Sequence, residues 1–407
     1  FFYHVHPKKF MVIAGEVSGD HRAAELVRAL RSASIEYGEE ASPTFIGTGP
    51  ELERAGAEPA MGLDLTAHAV IGPLDLFRSG FKFLRFFDAL FKLALKERPD
   101  VFIFVDYSGF NLRFAKKLRA RLNARRPGSF SNWNPKLIYY VSPQVWASRQ
   151  GRVHQIAENI DLMLSIFPFE KEWYAQRKPN FPVEFVGYPL LDRHLTLSSA
   201  AEPRKRQGKE PFVVLLPGSR LKEVERHIPV MIAAARRIQA EQPIRLCMIL
   251  PNEKLATLAR KMIGEQIDIQ IRIGGQAEVL PEADLAITKS GSVTMECALF
   301  GVPAVVIYIT SWLMYQIARR IVKVRFLAMP NLIADETVYP ELIQDEATGA
   351  NIARQGLYML TNAECRGSVR KKLRGVIEKL GEPGASRRAA GHIWNLIKGS
   401  VRLHWPR

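Results

Sequence analysis

The sequence predicts two doubly wound α/β domains in tandem, each built on a parallel sheet. Three observations predict this. Short apolar runs recur at residues 10–14, 101–105, 137–141, 163–167, 212–216, 245–250, 284–288 and 304–308. Polar or glycine-containing loops and helical patterns follow them, the alternation that marks βαβ units. The alternation breaks once, at a polar stretch over 193–209 that holds Ser198, Ser199, Pro203, Arg204, Lys205, Arg206 and Gly208, and then starts again.

The elements follow in order. Helices are expected over 22–31, 111–121, 223–239 and 294–300. The linker is expected within 187–210, giving domains 1–187 and 188–369. A chain of 407 residues suits two or three cores rather than one. No repeat with a period of 20–50 residues is present.

Charge narrows the partners. Lys plus Arg number 57 against 41 Asp plus Glu, a net +16. Such a surplus implies an anionic partner: a nucleic acid, a phosphorylated metabolite or an acidic membrane. No RNP, helix-turn-helix or zinc pattern supports nucleic acid. Cys247, Cys297 and Cys365 are odd in number and far apart, which suits reduced thiols in the cytoplasm. No run of about 18 apolar residues marks a transmembrane helix. Residues 1–6 lack a signal-peptide pattern, and the chain does not begin with Met, which leaves room for residues upstream.

In doubly wound sheets, ligands bind beyond the carboxyl ends of the strands. The loops after the apolar runs therefore carry the candidates. The first is Gly15-Glu16-Val17-Ser18-Gly19-Asp20, which sets Glu16, Ser18 and Asp20 at the sheet mouth. It is neither a dinucleotide GxGxxG nor a P-loop, and the alternative is a plain strand-helix turn with Asp20 or Ser18 as its cap. The second run ends in Asp106, a candidate general base where burial and neighbours tune it. The alternative is an N-cap. The third leads to Trp146, Arg149 and Arg152, spaced by three as on one helical face. Arginine grips phosphate bidentately and Trp covers a sugar or acyl chain. The alternative is a solvated basic helix with one packing Trp.

Two loops in the second half suit a diphosphate. Pro217-Gly218-Ser219-Arg220 opens a helix, where backbone N–H groups and a guanidinium meet an anion. Ser290-Gly291-Ser292 does the same, with Glu296 one turn inside for ribose hydroxyls. No Asp-x-Asp pair is present and the nine histidines are scattered. The usual carboxylate pair for Mg²⁺-diphosphate is therefore missing. No metal and no cofactor are expected, with leaving-group charge met by Arg220 and helix N-termini.

Two segments read as basic amphipathic helices for an anionic membrane. One spans 76–96, with Phe77, Phe81, Leu84, Phe91 and Leu95 among Arg78, Lys82, Arg85, Lys92 and Lys96. The other spans 312–327, with Arg319, Arg320, Lys323 and Arg325. A core-facing helix with a basic outer side is the alternative for both.

In combination, these stretches resemble the lipid-A-disaccharide synthases over nearly the whole chain. The resemblance is carried by IAGEVSGD (13–20), PDVFIFVDYSGFNLRFAKKLR (99–119), YYVSPQVWASRQGRV (139–153), FPFEKEWY (167–174), FVGYPLLD (185–192), LLPGSRLKEV (215–224), KSGSVTMECALFGVPAVVIY (289–308) and MPNLIADETVYPELIQDEAT (329–348), collinear and in order. It implies a glycosyltransferase-B fold: an acceptor domain first, a nucleotide domain second, facing across a cleft, with the last helix, about 370–407, packing back on the first. It implies a metal-independent, inverting transfer from UDP-2,3-diacylglucosamine to 2,3-diacylglucosamine 1-phosphate (lipid X). The products are a β-1,6-linked disaccharide 1-phosphate and UDP. It also implies peripheral attachment to the cytoplasmic face of the inner membrane.

By position, Asp106 matches the family's essential carboxylate and Arg220 its essential arginine at the diphosphate. Glu16 and Ser18 match the acceptor-side acid and hydroxyl. Ser290, Ser292 and Glu296 match the nucleotide loop, and Asn331 and Gln344 match polar positions of the donor cleft. Three positions depart: Gly109 stands where a second Asp is frequent, Ser292 where Thr is usual, and Ser148 where an aromatic is common. A related UDP-sugar epimerase or peptidoglycan-type transferase is the alternative within the fold.

Overall fold

A computed structural model describes residues 7–60, 75–124, 132–193 and 210–399, with backbone alone at 17 and 75–83. It divides into two compact units, Phe1–Asp192 with Glu382–Arg407, and Arg193–Gly381.

The first unit runs β1 (Lys9–Ala14), α1 (Val17–Glu36), β2 (Thr44–Gly47), α2 (Pro50–Arg54), β3 (Glu58–Pro59), α3 (Asp75–Glu97), β4 (Val101–Val105), α4 (Ser108–Asn123), β5 (Lys136–Tyr140), α5 (Arg152–Asn159), β6 (Leu162–Ser165), α6 (Pro168–Ala175), β7 (Val183–Phe185) and α7 (Leu190–Arg193). Its seven strands lie in the order β3-β2-β1-β4-β5-β6-β7, and every pairing is parallel. The order reverses between β1 and β4. Register pairs Ala14 with Val105, so Gly15 and Asp106 leave the sheet side by side.

The second unit runs β8 (Phe212–Leu216), α8 (Leu221–Glu241), β9 (Arg245–Leu250), α9 (Glu253–Ile263), β10 (Gln270–Ile273), α10 (Gln276–Val279), β11 (Leu285–Lys289), α11 (Val293–Leu299), β12 (Ala304–Tyr308), α12 (Trp312–Ile321), α13 (Met329–Ala334), β13 (Glu341–Ile343), α14 (Gly349–Thr361) and α15 (Ala363–Lys379). The order is β10-β9-β8-β11-β12-β13, again parallel. Leu216 pairs with Thr288, which sets Pro217 beside Lys289 at the second reversal.

Central strands form from the apolar runs because a parallel sheet is buried on both faces. The strands absent from the sequence reading, β2, β3, β7, β10 and β13, are short and lie at or next to a sheet edge. Three of the four residues of β10, for example, are exposed. The last helix, α16 (Ala385–Gly399), belongs to the first unit. Fully buried Trp394 donates from Nε1 to Leu30 O at 3.1 Å and meets Phe10 edge-on. Asp192 caps the helix by accepting N–H bonds from Gly384, Ala385 and Ser386. The preceding α15 stays in the second unit, where Val369, Leu373 and Val376 are buried.

Candidate active site

In the first unit, the groups gather where β1 and β4 end. Asp106 (φ 50°) and Tyr107 (φ 38°) are both left-handed, a conformation that non-glycine residues seldom adopt. Surrounding bonds over-determine this turn. Buried Asn111 donates through Nδ2 to the carbonyls of Ile13, Val105 and Asp106. Tyr139 Oη donates to Asp106 O at 2.5 Å, and Asp106 N donates to Tyr140 O at 3.1 Å. The turn aims the Asp106 carboxylate at α1. A Cβ on Gly19 would stand 3.2 Å from Asp106 Oδ2, so the glycine admits the close approach.

Arg22, on the second turn of α1, puts Nη1 2.5 Å from Asp106 Oδ2. Burial opposes the Arg22 charge, but Asp106, and then the Tyr188 and Tyr140 hydroxyls, push its pKa above the ordinary arginine range. The sequence reading did not single out Arg22. Its signal, one of three arginines along α1, is shared with many surface arginines. Glu16 lies half-buried as the N-cap of α1, without a side-chain capping bond. Burial, and then the Glu16 charge, raise the pKa of the Tyr107 phenol. Ser18 is exposed. Asp20 is buried and accepts from Glu51 N and Leu52 N, so it caps α2 rather than facing a ligand.

The 142–152 segment corrects one expectation. Trp146, Arg149 and Arg152 do not share a helical face, because the chain runs in turns until Arg152 opens α5. Trp146 is buried against Phe167 and Phe169, and its Nε1 donates to Glu170 at 2.9 Å. It is a packing residue, not a cover for a sugar. Arg149 is exposed and Arg152 half-buried. Burial, and then the Arg149 and Arg113 guanidiniums, lower the Arg152 pKa. Three arginines thus stand close together, with Arg113 supplied by α4.

In the second unit, the loop after β8 is braced from within. Gly218 has φ 127°, and a Cβ there would lie 2.6 Å from Glu223 Oε2. Glu223 accepts from Ser219 N and Arg220 N at 3.2 and 3.3 Å. Two amides expected to be open to an anion therefore already hold a carboxylate. Lys289 Nζ lies 3.1 Å from Glu223 Oε1, and Arg220 Nη1 lies 3.8 Å away. Burial opposes the Glu223 charge, yet Lys289, the Ser219 amide and the Arg220 charge bring its pKa below the usual carboxylate range. Arg220 itself is 63% exposed.

Buried His227 fastens the same loop. Ile309 N–H donates to Nε2 at 3.0 Å, so Nδ1 carries the proton donated to Pro217 O at 2.7 Å. Burial chiefly lowers its pKa and keeps it neutral.

The loop after β11 places Ser290, Gly291 and exposed Ser292 at the start of α11. Ser290 Oγ donates to Leu327 O, and Thr294 Oγ donates to Gly291 O. Glu296 is half-buried. Two expectations change here. Asn331 is fully buried: Nδ2 donates to Tyr339 O and Glu341 Oε1, and Oδ1 accepts from Val338 N and Tyr339 N. That uses the whole hydrogen-bonding capacity of the amide, so it is a brace and not a ligand contact. Gln344 brackets the Thr310 backbone with both side-chain ends, which fixes the entry to α12.

The two basic segments part ways. In α3, Phe86, Leu90, Phe91 and Ala94 are buried, and Phe91 packs on Phe114. That end is a core-facing helix, although Leu84 is exposed. The side chains of Phe77, Arg78, Phe81 and Lys82 lie outside the described residues. By contrast, α12 buries none of its residues and exposes Trp312, Leu313, Met314, Ile317 and Ile321. Among the described residues, no three His, Cys, Asp or Glu side chains gather as a metal site, and no helix is long and apolar enough to cross a membrane.

Two parallel-sheet units, each with polar loops at its point of strand reversal, define a glycosyltransferase-B fold. Solved structures agree on the fold. The glycotransferase of kitacinnamycin aligns at TM-score 0.58 and 16% identity, over 96% of this chain and 100% of that one. A UDP co-structure of S. aureus MnaA aligns at 0.61 and 15%, over 96% and 97%. The chain belongs to the lipid-A-disaccharide synthetase family, whose sequence profile matches residues 10–391. A curated relative from Trichlorobacter lovleyi, a lipid-A-disaccharide synthase, is 37% identical over 97% of this chain and 99% of its own length. This chain is accordingly a glycosyltransferase.

Proposed function

We propose that this enzyme moves a 2,3-diacylglucosaminyl unit from UDP-2,3-diacylglucosamine to the 6-hydroxyl of 2,3-diacylglucosamine 1-phosphate. The acceptor oxygen bonds to the sugar C1 as the bond from C1 to the diphosphate breaks. The hydroxyl proton passes to Asp106, and the electron pair leaves on UDP. Attack from the face opposite the diphosphate inverts C1 and gives the β-1,6 link. The family membership supports the substrate class. The observation that carries the division of labour is the pair of reversal points. One presents the Asp106 carboxylate on a braced turn. The other presents Arg220 and Lys289 beside a helix start.

On this reading, the second unit meets the leaving diphosphate with cations and amides, without a divalent ion. Glu223 must yield the Ser219 and Arg220 amides, with Lys289 retaining it. Arg149 and Arg152, with Arg113, suit the acceptor 1-phosphate. The exposed apolar face of α12, followed by Arg319, Arg320, Lys323 and Arg325, suits peripheral attachment to an anionic bilayer. On this reading the enzyme works at the cytoplasmic face of the inner membrane.

The test is incubation of both lipid substrates with enzyme in detergent and EDTA, followed by mass spectrometry of the lipid. Disaccharide 1-phosphate is expected from the wild type, and a loss of about 10²-fold or more from Asp106→Asn with UDP affinity retained. Wild-type turnover in Asp106→Asn removes that residue as base. Activity abolished by EDTA and restored by a divalent ion removes the metal-free mechanism.

A further inference from the structure

We propose that Arg22 is a positioning residue for this reaction: it holds the Asp106 carboxylate in the orientation from which it takes the acceptor proton. The inference rests on the reading of Asp106 as the base. The Asp106 backbone is already fixed by Asn111, Tyr139 and Tyr140. The remaining freedom lies in its two side-chain torsions. Arg22 removes it by gripping Oδ2 at 2.5 Å from a side chain that is 19% exposed.

The anchor is itself anchored. Arg22 projects from α1, which Trp394 of α16 ties down through Leu30 O. Gly19, one turn earlier, lets the carboxylate lie against the helix. A carboxylate held by one oxygen presents the other in a defined direction, and an aligned base gains far more rate than a rotating one. A guanidinium suits the task because it stays charged and presents a rigid fork.

Other titratable groups surround the pair. Tyr139 faces Asp106 and has Arg152 behind it. Tyr140 and Tyr188 face Arg22, with Glu25 and Asp192 beyond Tyr140. The phenols remain protonated through neutral pH, since burial pushes both Tyr139 and Tyr140 upward.

The experiment compares the full chain with Arg22→Met, Arg22→Lys and Asp106→Asn, using both lipid substrates in detergent. Arg22→Met is expected to lower kcat at least tenfold, with KM changed less than about twofold and the melting temperature retained. Arg22→Lys recovers part of kcat. Activity that falls in Arg22→Met only in step with the melting temperature overturns the proposal in favour of a structural role. Should Arg22→Met not fold, Arg22→Lys decides: a reduced kcat at unchanged KM supports positioning, and a wild-type kcat overturns it. Asp106→Asn separates the two readings. If it is fully active, the base assignment fails. If it is inactive while Arg22→Met behaves as wild type, only the Arg22 inference fails.

Discussion

Glu170 should make the first unit less stable as pH rises from about 4.5 towards neutrality, and Glu170→Gln should abolish that slope. Its side chain is fully buried at the third position of α6. Oε1 accepts from Trp146 Nε1 at 2.9 Å and Oε2 from Phe167 N at 3.3 Å. Burial pushes its pKa up from the ordinary 4.5 to about 7, and the bonds from Trp146, Ser142, Phe167 and Ile166 only partly counter this. The native state therefore binds this proton more tightly than the unfolded chain. Between pH 4.5 and about 7 it carries more of the proton, so each rise in pH costs stability. At about 1.4 kcal/mol per pH unit, the loss across that window comes to about 3 kcal/mol, and it levels off above pH 7.

The Gln amide keeps an acceptor for Trp146 and removes the titration. Its NH₂ then faces Phe167 N–H, a penalty of about 1 kcal/mol at every pH. Equilibrium urea unfolding followed by Trp fluorescence, from pH 5 to 8 on both proteins, measures the difference. Equal pH slopes in the two would refute the assignment. Trp146 sits in the turns that lead to Arg149 and Arg152, so this ionisation also bears on that loop.

Two further outcomes follow from the second unit. Arg220→Ala removes the exposed guanidinium beside the β8 loop and should weaken UDP binding by about 10- to 100-fold, the range of a charge-assisted hydrogen bond. Calorimetry showing unchanged affinity would exclude Arg220 from the diphosphate. Changing Trp312 and Leu313 together to Ser strips the most exposed apolar positions of α12 and should lower co-sedimentation with anionic vesicles at least tenfold, with UDP affinity intact. Binding at wild-type strength would point away from α12 as the attachment face.

Much of the fold was legible because the central strands are buried on both faces and stand out as apolar runs. The edge strands were not, since a two- to four-residue strand with an exposed side carries no such contrast. Among the site residues, the loops after β1, β4, β8 and β11 were legible because glycines and isolated charges follow apolar runs there. Partnerships across the chain were not. Arg22 and Asp106 are 84 residues apart, and Lys289 reaches Glu223 from another strand. Asn331 and Trp146 read as ligand contacts from their motifs, and packing turned both inward.

The sequence by itself determined the two parallel sheets, their order along the chain and the loops that hold polar chemistry, because periodicity and turn chemistry are local. Tertiary structure alone decided which of those polar side chains face solvent and which brace the scaffold. It also showed that α12 leaves its apolar face uncovered while the described end of α3 buries its own. Both choices depend on what lies across the sheet or beside the helix, and such neighbours come from distant parts of the chain.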